Sequence, residues 1–330
     1  MTDNHRNAQQ QADGHVHSGR WSAKKPLLLA TGVVVAYFGA EVAGAVISGS
    51  LALLADAAHT LSDTAALGLA LGAAWLAGRP GTVKRTFGYK RAEVLAALVN
   101  GAALAVVACF VFIEASRRIA SPPEVEGAIV SLVAAGGILA NTAAGLVLLR
   151  GARSNLNVRA ALFHVAGDAI GSVGVVIAGL LIVFFGWYLA DPIAGMFIGV
   201  LLLIGALRIV RDAVHVLLEG TPGHIDIPGL LQDMKGLPGV VAVHDLHTWT
   251  ITSGYDAMSA HVTMPDSLTR TQEANLLATL RQLAADRHGI AHVTLQLERG
   301  EPDCEEEAHM PEEGADGERR VESANGRESQ

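Results

Sequence analysis

Two stretches of the chain carry the same pair of side chains at the same spacing. Ala55-Asp56-Ala57-Ala58-His59-Thr60-Leu61-Ser62-Asp63 and Phe163-His164-Val165-Ala166-Gly167-Asp168 each contain His-x-x-x-Asp. On a helix, residues four apart share a face, one turn above the other. Each stretch then presents an imidazole beside a carboxylate. Two such helices facing each other supply two nitrogens and two oxygens around one point, a tetrahedral set suited to a borderline divalent cation such as zinc. A single pair of this kind on a soluble helix is ordinarily a surface ion pair worth little. Both copies here lie inside long apolar runs, where an ionisable group is costly and marks an ion path or a proton relay.

The rest of the composition fits that setting. The chain has 330 residues, of which 51% are hydrophobic and only 17% charged, and its mean hydropathy is +0.36. That is too apolar for an ordinary soluble domain and predicts a polytopic membrane protein in contact with a lipid bilayer. The net charge of −8 reflects an acidic C-terminal tail. No general basic patch exists, so nucleic acid is excluded as a partner. Cys109 lies in an apolar run and Cys304 in the acidic tail, which makes no disulfide framework. The polar N-terminus has no signal-peptide core, so the first span itself must direct insertion.

Residues 1–25 read as a disordered tail, in which His15 and His17 either catch a metal weakly or are ordinary solvated histidines. Residues 26–219 read as six spans: Pro26–Gly49, Leu51–Ala77, Glu93–Ile119, Val125–Leu149, Ala160–Trp187 and Pro192–Leu217, with Asp191-Pro192 marking the last turn. Glu41, inside the first span, is either a proton site or a partner for another helix. Asp56, one turn before His59, either orients the imidazole through a hydrogen bond or is a third ligand. Arg79, Lys84, Arg85, Lys90 and Arg91 fill one loop and Arg150, Arg153 and Arg159 another, against only Arg117 and Arg118 on the opposite side. The positive-inside rule then puts both termini in the cytosol. Glycine and alanine on the second and fifth spans allow the close helix approach that a compact ion site needs.

After Glu219 the periodicity changes. Ile225–Met234 reads as a helix, Val240–Thr252 and Ala257–Met264 as strands around Ser253-Gly254, Leu268–Arg287 as a helix and His292–Glu298 as a strand. Residues 220–299 are thus a small α-β-β-α-β domain. Residues 300–330 are acidic and poor in apolar side chains, hence a disordered tail.

In order along the chain, Leu54 to Asp63, Thr86-Phe87-Gly88-Tyr89 with Arg91-Ala92-Glu93, His244-Asp245-Leu246-His247-Thr248-Trp249 and His292 to Glu298 form a set of motifs. Together they resemble the cation diffusion facilitators, and in particular their zinc-transporter group. The resemblance covers roughly residues 26–300, and four separated motifs in order are more specific than any one. It implies an all-α membrane domain of six helices followed by a cytosolic, ferredoxin-like α+β domain. It implies a homodimeric antiporter in the bacterial cytoplasmic (inner) membrane that exchanges zinc (Zn2+), or cadmium or cobalt, for protons. The transport site would be His59, Asp63, His164 and Asp168, with Asp56 and Glu41 orienting it or linking it to protons. A cytosolic zinc site, structural or regulatory, would use His244, His261 and Glu298, with His247 and Gln296 beside them. Cys304, His15 and His17 match positions that complete such a site in some relatives. One departure matters. Where some relatives flank Phe-Gly with two metal-binding histidines, this chain has Arg85 and Tyr89. Arginine stays protonated and cannot ligate, so no metal is expected there. The loop's positive charge is free to pair with a cytosolic-domain carboxylate or with lipid head groups.

Two other function classes fit less well. An intramembrane metalloprotease would want His-Glu-x-x-His, which is absent from the sequence, and four protein ligands leave no open position for water. A metal sensor would need the sites but no path, and is separated from a transporter by proton counterflow. Histidine and carboxylate bind zinc and protons through the same atoms, so the site exchanges one for the other by competition.

Overall fold

The computed structural model describes residues 24–149 and 156–300. The first part of the chain is helical: α1 Lys24–Ser48, α2 Leu51–Ala77, α3 Ala92–Ala120, α4 Gly127–Leu149, α5 Leu156–Phe185 and α6 Ala190–Leu217. Among the described residues four stretches are long and apolar enough to cross a membrane: Leu51–Ala77, Ala92–Ala120, Gly167–Phe185 and Ala190–Leu217. Ala36–Ser48 and Gly127–Ala143 are shorter apolar stretches. Leu71, Val106, Leu132, Ile170 and Phe184 lie exposed on these helices. Such an apolar exterior is stable only in lipid, where backbone groups must be satisfied internally and helices achieve this.

The breaks between helices have local causes. Gly49 turns α1 into α2 at φ 72° and Gly186 ends α5 at φ 62°, a region that disfavours side chains with a Cβ. Ser121-Pro122-Pro123 stops α3. Asp191-Pro192, expected as a turn, is already helical, since α6 begins at Ala190. Proline fits a first helical turn, where its missing N–H has no intrahelical acceptor.

The described chain divides into two compact units, residues up to 68 with 99–209, and 69–98 with 210 onward. The core of the first is built from small and branched side chains: Leu53 and Ala55 of α2, Ala108 and Val111 of α3, Val130 and Ala134 of α4, Val175 and Ala178 of α5, and Leu202 of α6. At Gly127 an added Cβ would lie 2.7 Å from the Gly179 carbonyl, so α4 and α5 meet backbone to backbone.

The second unit contains a small α/β domain: α7 Ile227–Lys235, β1 Ala242–Thr252, β2 Tyr255–Met264, α8 Arg270–His288 and β3 His292–Arg299. The strands lie in the order β1-β2-β3, with β1 antiparallel and β3 parallel to β2. The parallel pair requires a crossover, which α8 provides. A capping box of Thr269 and Gln272 starts α8, and Gly289 in the left-handed region ends it. Leu230 and Met234 of α7, Met258 and Val262 of β2, and Leu280 of α8 fill the core.

In the same unit the α2–α3 loop meets the β1–β2 hairpin. Thr252 donates to Glu93 at 2.5 Å and Ser253 to the same carboxylate at 2.9 Å. Lys90 Nζ sits 3.5 Å from the centre of the Tyr255 ring. The Phe87 ring stands edge-on to His292, and Arg91 pairs with Glu219 at 2.9 Å. Arg91 thus pairs with a carboxylate just past the end of α6, not with one of the 220–299 domain as expected. Arg85 lies 4.4 Å from the Tyr89 ring, so these two side chains stack on each other.

Candidate metal centres

Helix α2 carries His59 and Asp63 on one face, and α5 carries Asp168. His59 Nε2 lies 3.0 Å from Asp168 Oδ1 and 3.6 Å from Asp63 Oδ2. One ligand atom from each of the three lies within 4.8 Å of the others. Their side chains are partly exposed, 26% for His59 and 23% for Asp168. His164 is on α5, one turn before Asp168; its side chain lies outside the described residues.

Glu41 and Asp56 are both buried, Glu41 at 1% exposure. The Thr60 hydroxyl donates to the Asp56 backbone carbonyl at 3.2 Å.

A second cluster is built on the sheet. His244 of β1 and His261 of β2 are directly paired across the strands, which puts their side chains on one face. Their ring centres are 5.4 Å apart. Glu298 of β3 reaches both: His261 Nδ1 to Oε1 at 2.9 Å and His244 Nε2 to Oε2 at 3.2 Å. His244, His261 and Glu298 also have one ligand atom each within 4.8 Å of the others. Gln296 donates to Glu298 at 2.8 Å. His247 turns instead to Asp245, at 2.9 Å. The other Asp245 oxygen is 3.9 Å from His261 Nε2. The sequence reading missed Asp245 as a neighbour of this cluster. It sits at φ 49°, where the β1–β2 register shifts between His244 and His247. A bulge re-aims side chains, and strict alternation cannot foresee it. Cys304, His15 and His17 lie outside the described residues.

A family model described as "Cation efflux transmembrane domain" matches residues 27–218. The chain belongs to the cation efflux family. Within it, the chain falls in the zinc-transporter group of the cation diffusion facilitators. A second model, "Cation efflux protein, cytoplasmic domain", matches residues 222–300 of this cation efflux protein. It is 40% identical over 286 residues to a "Cadmium, cobalt and zinc/H(+)-K(+) antiporter" of Bacillus velezensis, covering 86% of this chain and 91% of the relative. It is 41% identical to the "Zinc transporter ZitB" of Escherichia coli, covering 84% of this chain and 89% of that one. The solved "Metal-bound C-terminal domain of the CzcD transporter" of Cuprividus metallidurans aligns at 36% identity and a TM-score of 0.21, over 22% of this chain and 99% of that one.

Proposed function

We propose that this cation efflux protein moves zinc, or the chemically similar cadmium or cobalt, out of the cytosol in exchange for protons, as a homodimer working by alternating access. The observation that carries the reading is the approach of Asp168 on α5 to His59 on α2, 3.0 Å apart beside Asp63. With His164 from the next turn of α5, the set is two imidazoles and two carboxylates, which suits a borderline cation. The names of the relatives, antiporters and zinc transporters, support the same cargo and the same exchange.

The chemistry follows from competition. His59 and His164 bind a cation only when their nitrogens are unprotonated, and Asp63 and Asp168 bind it as carboxylates. When the site faces the cytosol, protons leave and a cation enters. When it faces outward, protons return and the cation leaves. Glu41 and Asp56, both buried, serve as the proton-linked or orienting groups behind the ligands. The membrane domain, residues 26–219, has six spans with both termini in the cytosol of a bacterial cytoplasmic membrane. Residues 220–299 form a ferredoxin-like cytosolic domain. There His244, His261 and Glu298 hold a zinc ion that tightens the dimer, and Cys304, His15 and His17 complete its shell.

The test is zinc flux into proteoliposomes with an imposed pH gradient, recorded with an internal zinc dye and an internal pH dye. Zinc entry coupled to proton exit is expected. Zinc binding without flux would reduce the protein to a sensor, and flux without proton movement would remove the antiport.

A further inference from the structure

At the start of α2, away from the ligands, lies a buried carboxylate that the transport chemistry does not use. Asp191, in the first turn of α6, is 0% exposed. It accepts from the Ser50 hydroxyl at 2.5 Å, from the Leu51 N–H at 2.8 Å and from the Ala52 N–H at 3.2 Å. The first N–H groups of a helix have no acceptor within it. In α2 all of them are accounted for. Asp191 takes those of Leu51 and Ala52, the Ser50 hydroxyl takes that of Leu53 at 3.1 Å, and the Ser50 carbonyl takes that of Leu54 at 3.3 Å. A helix therefore receives its cap from a different helix, joined to it by 141 residues of chain between Ser50 and Asp191.

A third helix enters the same knot. Arg118, near the end of α3, donates to the Gly49 carbonyl at 2.6 Å. It also stands 3.8 Å from Asp191 Oδ2 and pairs with Glu114 at 2.9 Å. The Ser48 carbonyl at the end of α1 accepts from the Glu126 N–H at 3.1 Å. Gly195 lets α6 close on this turn, since a Cβ there would lie 3.1 Å from Leu51 Cγ. Three N–H or O–H donors on one carboxylate fix the axial position of α2 against α6. They tolerate a change of tilt, because all of them act at the helix's tip. His59 lies seven residues on from Ala52, about 10 Å along the axis.

We infer that Asp191 is the pivot of the transport-site helix. It holds the start of α2 to α6, so that His59 and Asp63 move relative to Asp168 by tilting about this knot and not by sliding along the bundle. It is a positioning residue, and the inference rests on the transport reading. A slide would break the three bonds together and leave backbone donors bare in lipid. It would also carry His59 out of level with Asp168, which a tilt preserves.

The test uses the full-length protein in proteoliposomes, with Cys109 and Cys304 replaced by serine. Zinc flux of the wild-type protein is measured first, and if it fails, the transport reading fails and not the pivot; every later rate is referred to the cysteine-free background, whatever that rate is. Asp191→Ala should lower the maximal flux at least tenfold. The pair Ser50→Cys with Asp191→Cys should be similarly slow when reduced. Bridging the two thiols with a short bifunctional thiosulfonate should recover at least half of the background rate, because a covalent tie restores the pivot. A merely structural defect would not be rescued by the tie. Flux in the reduced pair that is lost on bridging overturns the pivot, since the contact would then have to open during transport. A bridged protein that stays inactive while monodisperse and zinc-binding also overturns it, as does Asp191→Ala at background flux. Asp191→Asn, which keeps one acceptor oxygen, guards against misfolding: an intermediate rate is expected, and an unchanged rate counts against the pivot.

Discussion

His59 lies closer to Asp168, at 3.0 Å across 109 residues of chain, than to its own helix neighbour Asp63, at 3.6 Å. The tighter contact is thus the one between helices. A cation held there cross-links α2 to α5, and losing either carboxylate removes both charge and a ligand atom. Asp168→Ala and Asp63→Ala should each cut zinc flux by about 100-fold or more, beyond what loss of an outer partner costs a metal site. Initial rates in proteoliposomes check this. Either variant at wild-type rate would remove these residues from the site.

In the proposed site, the nitrogen donors should set the choice of ion. Zinc and cadmium accept imidazole readily, whereas magnesium and manganese prefer oxygen. His59→Asp turns one nitrogen of the site into an oxygen. Competition of manganese and cadmium against zinc flux should strengthen in that variant. An unchanged selectivity series would mean that the shape of the path, not the donor atoms, discriminates.

Protons compete with the cation for the same atoms. Each proton displaced per cation bound makes the apparent affinity fall about tenfold for each unit of pH lost, while that group is being protonated. Zinc binding to the detergent-solubilised protein should therefore weaken as pH falls, and binding should release protons into a weakly buffered solution. Calorimetry in two buffers of different ionisation enthalpy measures the number released. Zero protons would break the link to antiport.

The membrane helices were legible because apolar runs of sufficient length have few alternatives in lipid. The limits of α2 match the expected Leu51–Ala77 at both ends. The His59–Asp63 pair was legible because helical spacing alone puts the two side chains on one face. The strand histidines His244 and His261 fell on strands by alternation, but their direct pairing depends on the hairpin register. Asp245 was hidden by a bulge. Asp191 read as a turn residue beside a proline, and its role arises only when α6 brings it to the tip of α2. Glu93 read as the start of a span, and its partners Thr252 and Ser253 are 159 and 160 residues away. What escaped is the set of polar contacts made between elements, which no local period encodes.

That last contact predicts a local effect. Glu93→Ala leaves the Thr252 and Ser253 hydroxyls without their shared carboxylate. Both partners have access to water, so the cost should stay near 1 kcal/mol, equivalent to about fivefold faster amide exchange in the hairpin turn. Hydrogen exchange of the purified full-length protein, read on peptides spanning Thr252 to Tyr255, measures it. Glu93→Gln keeps an acceptor and should lose less. Equal protection in all three proteins would show that the Lys90 and Phe87 contacts hold the hairpin by themselves.

The sheet cluster yields the last prediction. Glu298 already lies close to both histidines, His261 at 2.9 Å and His244 at 3.2 Å, so a zinc ion needs little rearrangement to take these atoms as ligands. The three residues come from three strands, and a bound ion would oppose separation of β3 from β2 and β2 from β1. An ion that binds only the folded sheet stabilises it by mass action, about 2.7 kcal/mol at a hundredfold excess over its dissociation constant. Thermal unfolding of the full-length protein should therefore show a zinc-dependent rise in the cytosolic-domain transition. His261→Ala should abolish most of that rise, because His261 is the histidine of the cluster nearest to Glu298. Asp168→Ala should keep it, because that change touches only the membrane site. A rise that survives His261→Ala would place the zinc elsewhere. A rise lost in both variants would mean that the two clusters do not bind independently.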